Sequence, residues 1–282
     1  MNTRFFFFVS ALILSATPVT TLAQDYDYHP AISDNFTASL GAMRSSNSFE
    51  FRAGSVVDPE PFLTDIDFTD SLGVSDSSTF FNGQIRWKFG KSDKWTLSGQ
   101  YFSNNATGNS ILEEDVEWED IIFREGTYAE AGAKLAVTRL FMGRSFYKNA
   151  QNDFGLGVGI HNLDLSAYIE GEILINNSTT GRKKKEVSES QILPNIGGWY
   201  LFSPGKNWLL HGRVDWISAD INGYDGTLWN VSAGVSYQAW RHVGFDLSWQ
   251  YFDLELKVDK SDWQGGSKMT YSGPVLAVTF GW

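Results

Sequence analysis

Apolar and polar residues alternate with a period of two along most of this chain. Between residues 78 and 90, for example, Phe81, Ile85 and Trp87 fall on one face of an extended chain, while Arg86 falls on the other. Such alternation is typical of β-strands with one apolar face, and helical spacing is almost absent. The pattern predicts ten strands, at about residues 35–54, 78–90, 94–105, 127–147, 153–171, 188–203, 207–219, 227–241, 243–258 and 267–282.

The connections between these strands differ in length. The one at 241–242 is short, whereas those near 105–126 and 172–187 are long and polar. Short turns at one end and long loops at the other are typical of outer-membrane barrels, and an even strand number returns both termini to the short-turn end. The number stays open between eight and twelve, because residues 35–54 also fit a hairpin and residues 64–68 fit one further short strand.

Two predicted strands change the parity of their apolar residues. In the strand at 243–258, Tyr251 shares the parity of the apolar residues before it, but Leu254 and Leu256 have the other. The strand at 153–171 changes in the same way. A β-bulge adds one residue and turns all later side chains to the opposite face. We therefore predict a bulge where each strand leaves the lipid and continues into an extracellular rim.

Periodicity alone does not say which face of the strands is the inner one. A secreted sandwich or a lipocalin-like barrel would carry the apolar face inside. Here the polar face is rich in Ser, Gly, Gln and Asn, which suits a crowded lumen better than a solvated surface. Aromatic residues such as Trp87, Trp95, Trp208 and Trp240 gather near strand ends, as in the girdles of membrane barrels. These features favour a membrane barrel.

The N-terminus has the features of a secretory signal. Arg4 precedes a short apolar segment, and Thr21–Ala23 fits a signal peptidase site, so residues 1–23 are predicted to be removed. Residues 24–34 then form a short periplasmic segment before a barrel at 35–282. The chain has no cysteine, which excludes disulfides and thiol chemistry. A formal net charge of -11 argues against a nucleic-acid partner.

The last residues, Leu276–Trp282, alternate apolar and small side chains and stop on an aromatic residue. With the signal and the asymmetric loops, this ending resembles the outer-membrane β-barrel proteins of Gram-negative bacteria, such as the small OmpA- and OmpW-type barrels. The resemblance implies an all-β, antiparallel, up-and-down transmembrane β-barrel in the cell outer membrane, in contact with its lipids and lipopolysaccharide. It also implies that the barrel assembly machinery reads Phe280 and Trp282.

Charged and polar residues on the inward parity form the first candidate site. They are Arg86, Lys88, Arg139, His161, Arg213, Asp215 and Asp246. Such residues form a constriction that selects small solutes or ions, or they pair with one another and fill a narrow barrel. Barrels of about eight strands are just filled by side chains, and about sixteen strands are needed for an open channel. Ten strands therefore favour the filled interior.

An acidic run in the second long loop is another candidate. It consists of Glu113, Glu114, Asp115, Glu117, Glu119 and Asp120. Carboxylates bind hard divalent cations, but this spacing matches no calcium-binding loop. A solvated, self-repelling face is the favoured interpretation. No metal site or other cofactor is predicted.

Histidine is the test for an enzyme. Outer-membrane lipid A deacylases and phospholipases pair His with Ser or Asn in set motifs, and neither motif occurs around His161 or His211. The leading hypothesis is therefore a non-enzymatic outer-membrane protein with a structural role, or with narrow passive passage of small solutes or ions. A lipid-modifying acyl hydrolase using His161 or His211, and a surface adhesin acting through its loops, are the alternatives.

Overall fold

A computed structural model describes residues 28–54, 66–118, 121–175, 179–221, 224–259 and 264–282. The predicted signal peptide lies outside these residues. Among them, no helix is long or apolar enough to cross a membrane. A one-turn helix, α1, spans Pro30–Ser33, and a short 3-10 helix spans Lys91–Asp93. The strands are β1 Phe36–Gly54, β2 Ile66–Asp67, β3 Ser77–Phe89, β4 Trp95–Ile111, β5 Val116–Trp118, β6 Ile121–Phe123, β7 Tyr128–Lys148, β8 Asn152–Ile175, β9 Thr179–Gly205, β10 Trp208–Ile221, β11 Tyr224–Gln238, β12 Val243–Asp259 and β13 Gln264–Gly281.

Ten long strands form a closed antiparallel barrel with up-and-down connections. Each pairs with the next long strand in the chain, and β13 pairs with β1 from Thr37 opposite Gly281 to Gly54 opposite Gln264. The predicted fold class and ten strands are confirmed. β1 is one strand rather than a hairpin, and the extra strand near 64–68 is β2, a two-residue strand that pairs with β1 beyond the end of the β1–β3 pairing.

The two ends of the barrel differ, and we call them the turn end and the loop end. The turn end carries both termini and short connections, such as residues 239–242 between β11 and β12. The loop end carries the connection between β4 and β7, which contains the small hairpin β5–β6. In outer-membrane barrels the short turns face the periplasm.

A continuous apolar belt surrounds the turn-end half of the wall. Large side chains such as Phe81, Ile85 and Leu247 are about half exposed on its outer face. Two rows of exposed aromatic residues border the belt. The row nearer the turn end contains Trp87, Trp95, Tyr200, Trp208, Trp240 and Trp282, and the other contains Tyr101, Trp216, Trp229, Trp249 and Tyr251. A soluble barrel would not expose such a surface to water, so the belt is the surface that contacts lipid.

The predicted bulges at the parity changes are wrong. Around Tyr251 the register of β12 is continuous with both neighbouring strands, and the pairings of β8 with β7 and β9 are likewise regular from Gly155 to Gly171. Side chains continue to alternate between the two faces, but beyond Tyr251 the apolar residues are on the lumen face. Phe252 and Leu254 are buried in the lumen, while Glu255 faces outward. The strands therefore leave the lipid as expected, and above the belt the lumen is the apolar side.

Candidate functional site in the lumen

The loop-end half of the lumen is filled by an apolar cluster, the loop-end core. Strand side chains supply part of it, and the β5–β6 hairpin and the segment after β2 fold inward to supply the rest. The aromatic members are Phe49, Phe51, Phe68, Phe80, Phe102, Trp118, Phe123, Phe252 and Tyr271. Their rings are in contact, for example Phe68 with Trp118 at 5.4 Å between centroids. Each buried aromatic ring contributes a large apolar area, which holds the loops inside the barrel.

A buried ion pair lies below this core. Arg139 on β7 donates from Nε and Nη2 to the two carboxylate oxygens of Asp215 on β10, both at 2.7 Å. Their side chains are 1% and 0% exposed. Arg213 lies 3.5 Å from the same carboxylate, and Asn195 donates to it at 3.3 Å. The bidentate geometry gives Arg139 a fixed orientation across the lumen.

Side-chain amides continue this polar layer towards the loop-end core. Asn82 donates to Gln250 at 2.7 Å, and Gln250 donates to Asn230 at 3.1 Å. Arg213 donates to Gln100 at 2.6 Å. His161 is fully buried, with its Nε2 3.4 Å from the Asn230 amide. The layer therefore connects six strands by side-chain contacts in the middle of the barrel.

The N-terminal segment closes the turn end of the lumen. Ile32 of α1 is buried against Leu201 and Leu209. Lys88 donates to the carbonyl oxygens of Ala31 and Ile32 at 2.9 and 2.7 Å, and Arg86 donates to that of Ala31 at 2.9 Å. Two of the predicted lumen charges thus hold a segment of the chain in the barrel mouth.

His29, at the start of this plug, was not among the predicted site residues. Its backbone N–H donates to the Ser203 hydroxyl at 2.9 Å, and its Nδ1 accepts from the Ala31 N–H at 3.1 Å. Burial is the main cause that lowers the pKa of His29 to about 4, and the nearby Arg86 guanidinium lowers it further. Its sequence position before the first strand gave no signal of this role.

Asp246, the remaining predicted lumen charge, lies in a separate polar cluster. Asp246 lies 2.6 Å from Nε2 of His211. The hydroxyls of Ser236 and Ser248 also donate to this carboxylate, at 2.5 and 2.9 Å. The predicted lumen set is therefore divided among three places: the central ion pair, the turn-end plug and this cluster.

The acidic loop run does not converge. Asp115 accepts from the backbone N–H of Glu125 at 2.8 Å and from Arg124, and the first of these is the main cause that lowers its pKa. Glu113, Glu114 and Glu117 are exposed, and Glu117 alternates with the buried Val116 and Trp118 of the hairpin. Glu119 and Asp120 lie outside the described residues. Within the described part of the chain, no three His, Asp or Glu side chains are grouped as metal ligands.

The C-terminal residues take part in closing the barrel. Trp282 exchanges two backbone hydrogen bonds of 2.9 Å with Phe36, and its ring stacks near that of Phe280. Recognition of these two aromatic residues by an assembly machinery stays a prediction.

Comparison with known proteins identifies the fold but not a family. No family model and no curated protein matches the sequence. The crystal structure of the outer membrane protease OmpT from Escherichia coli superposes with a TM-score of 0.57 at 12% identity, over 93% of this chain and 99% of that one. The Pseudomonas putida toluene transporter TodX gives a TM-score of 0.35 at 6% identity, over 90% and 92% of the two chains. The chain thus has the fold of Gram-negative outer-membrane β-barrels.

Proposed function

We propose that this protein is a non-enzymatic, non-conducting barrel of the outer membrane with a structural role. The single observation that supports this proposal is that protein atoms fill the lumen at three successive levels. These levels are the loop-end core, the central polar layer and the α1 plug.

The filled lumen disfavours the alternative of passive solute passage. A permeant ion would have to cross a core of packed aromatic rings such as those of Phe68 and Trp118, which offers no replacement for its hydration shell. It would then have to pass the Arg139–Asp215 pair, whose breakage leaves a buried charge uncompensated. Both barriers would need to rearrange together for conduction.

The positions of the histidines disfavour the acyl hydrolase. His161 is fully buried beneath the loop-end core. Near His211, the serine hydroxyls of Ser236 and Ser248 donate to Asp246, so the carboxylate stands between the serines and the histidine. A nucleophilic serine needs the histidine itself as its base. This arrangement is consistent with a satisfied polar cluster.

We propose the cell outer membrane as the location, with residues 1–23 as the signal peptide and residues 24–34 as the periplasmic segment that supplies the plug. The lipid-facing belt would contact outer-membrane lipids. Above it, Arg182 forms ion pairs with Glu130 and Glu170 on the outer wall, at 2.8 and 2.7 Å. Contact between this charged wall and lipopolysaccharide is the partner interaction that we propose.

Single-channel recording tests the proposal. Residues 24–282 are refolded, shown to be folded by heat-modifiable gel migration, and inserted into planar bilayers, with a known porin as the positive control. We expect no conductance steps. Steady, ion-selective steps whose size changes in Arg213→Gln would contradict the proposal and support the passive channel instead.

A further inference from the structure

A cavity of about 170 Å³, lined by both apolar and polar side chains, lies in the lumen between the α1 plug and the central ion pair. A single water needs only about 10–15 Å³ by this kind of measure, so the cavity has room for a small solute with its hydration water. Its charged lining comes from Arg86, Arg139, Arg213 and Asp246. His29 and His211 line it as well.

Residues that line the cavity carry buried hydrogen-bond donors without a hydrogen-bond partner. Nε of Arg86 and Nε of Arg213 are both buried without a hydrogen-bond partner, although the latter is in ion-pair contact with Asp215. Nε2 of His29 is also unpartnered. Because Nδ1 of neutral His29 accepts from Ala31, its proton must be on Nε2, which makes that atom a donor.

Hydroxyl groups extend this set. Oγ1 of Thr96 and Oγ1 of Thr279 are buried and unpartnered, and both residues line the same cavity. Buried polar atoms in proteins are almost always paired, so five such groups on residues around one cavity favour an acceptor-rich ligand there.

Guanidiniums outnumber carboxylates among the side chains that line the cavity. Three guanidiniums, those of Arg86, Arg139 and Arg213, line the cavity together with one carboxylate, that of Asp246, and Arg139 is paired with Asp215. The protein as a whole has a formal charge of -11, so this preponderance of guanidiniums is local to the cavity lining.

The topology places the guanidiniums of Arg86 and Arg213 on opposite walls. β3 carries Arg86 and β10 carries Arg213, and these strands are five positions apart in either direction around the ten-stranded barrel. An anion between them can accept from both sides at once, which is the geometry that favours binding over mere attraction.

We propose that this cavity binds one small monovalent anion, a halide or a small carboxylate, between Arg86 and Arg213. The anion pairs with these two guanidiniums and accepts from the unpartnered donors. The anion site does not depend on the barrel being non-conducting. A barrel that conducts ions and also binds the anion would contradict the proposed function but not this site.

Bromide is the probe that we would use on the refolded residues 24–282. Thermal unfolding is followed while sodium bromide replaces sodium gluconate at constant ionic strength. The variants are Arg86→Gln and Arg213→Gln, and the matched control is Arg44→Gln, whose side chain is exposed. We expect a saturable rise of the unfolding temperature in wild type and control, and at least a tenfold weaker apparent affinity in the two cavity variants.

Two outcomes would overturn the proposal. One is that bromide raises the unfolding temperature equally in wild type and in both cavity variants, or does not raise it in wild type. The other is a bromide-soaked crystal of the wild type whose anomalous map lacks a peak between the two guanidiniums, meaning that the cavity contains water alone. The crystal result decides the question even if Arg86→Gln does not fold.

Discussion

Removing the carboxylate of the central ion pair is the sharpest perturbation of this lumen. In Asp215→Asn, the volume and one acceptor oxygen remain, but the charge that compensates Arg139 is lost. Arg213, 3.5 Å from the same carboxylate, loses its neighbour as well. The variant therefore leaves two guanidiniums close together in a site that is closed to bulk water.

The structure sets the magnitude. Arg139 and Asp215 are 1% and 0% exposed, and two hydrogen bonds of 2.7 Å join them. Two unit charges about 4 Å apart attract by about 4 kcal/mol at an effective dielectric constant of about 20. Removing one partner of a buried pair costs about 3–5 kcal/mol. We expect Asp215→Asn to lower the free energy of unfolding by about 4 kcal/mol.

Urea unfolding of the barrel in lipid vesicles, followed by tryptophan fluorescence, measures this change. The double variant Arg139→Met/Asp215→Leu removes both charges, and we expect it to recover at least about 2 kcal/mol relative to Asp215→Asn. Glu186→Gln, which breaks the exposed pair with Lys184, is the control and should move the midpoint little. Equal losses in Asp215→Asn and Glu186→Gln would refute the argument that burial makes this pair indispensable.

Two further predictions concern the ends of the lumen. Trp118→Ala removes a large side chain from the loop-end core and should lower the free energy of unfolding by about 3–5 kcal/mol in the same assay. Glu117→Gln, on the exposed face of the same strand, should leave the free energy of unfolding nearly unchanged. Similar losses in the two variants would be evidence against a packed core. Burial and Arg86 lower the pKa of His29 to about 4, so between about pH 6.5 and 4 the unfolded chain binds a proton that the folded chain does not. The stability, measured as the urea midpoint, should therefore decrease as the pH is lowered from about 6.5 to about 4. His29→Gln should flatten this pH profile. An unchanged slope in that variant would show that other groups cause the pH dependence.

The wall of the barrel was predictable from sequence because its cause is local. A lipid-facing strand must alternate, so residues such as Ile85 and Trp87 reveal both the strand and its outer face. The predicted limits of β7, 127–147, differ by one residue at each end from Tyr128–Lys148. β9 begins earlier than predicted, at Thr179, because its outer part stands above the belt and its polar side chains no longer alternate with apolar ones.

The lumen was predictable only as a set of inward-facing residues. Parity indicated that Arg139 and Asp215 face inward, but their pairing depends on β7 and β10 being brought across the barrel, which no local pattern encodes. The same limit applies to His29, whose role depends on a short segment folding back into the mouth. The acidic run around Glu117 drew attention to charge, while the structural role of that hairpin belongs to Trp118.

Along each strand the apolar residues change from the outer face to the lumen face, so the register of the barrel is constrained in both halves of the wall. On β12, Leu247 and Trp249 face lipid, whereas above the belt Phe252 and Leu254 face the lumen. A slip of one residue would turn polar side chains towards lipid in the lower half and, in the same step, turn Glu255 into the loop-end core. A barrel with a water-filled upper lumen would incur only the first of these penalties. The apolar core above the belt therefore stabilises one register against its neighbours, and it does so by filling the space through which a solute would have to pass.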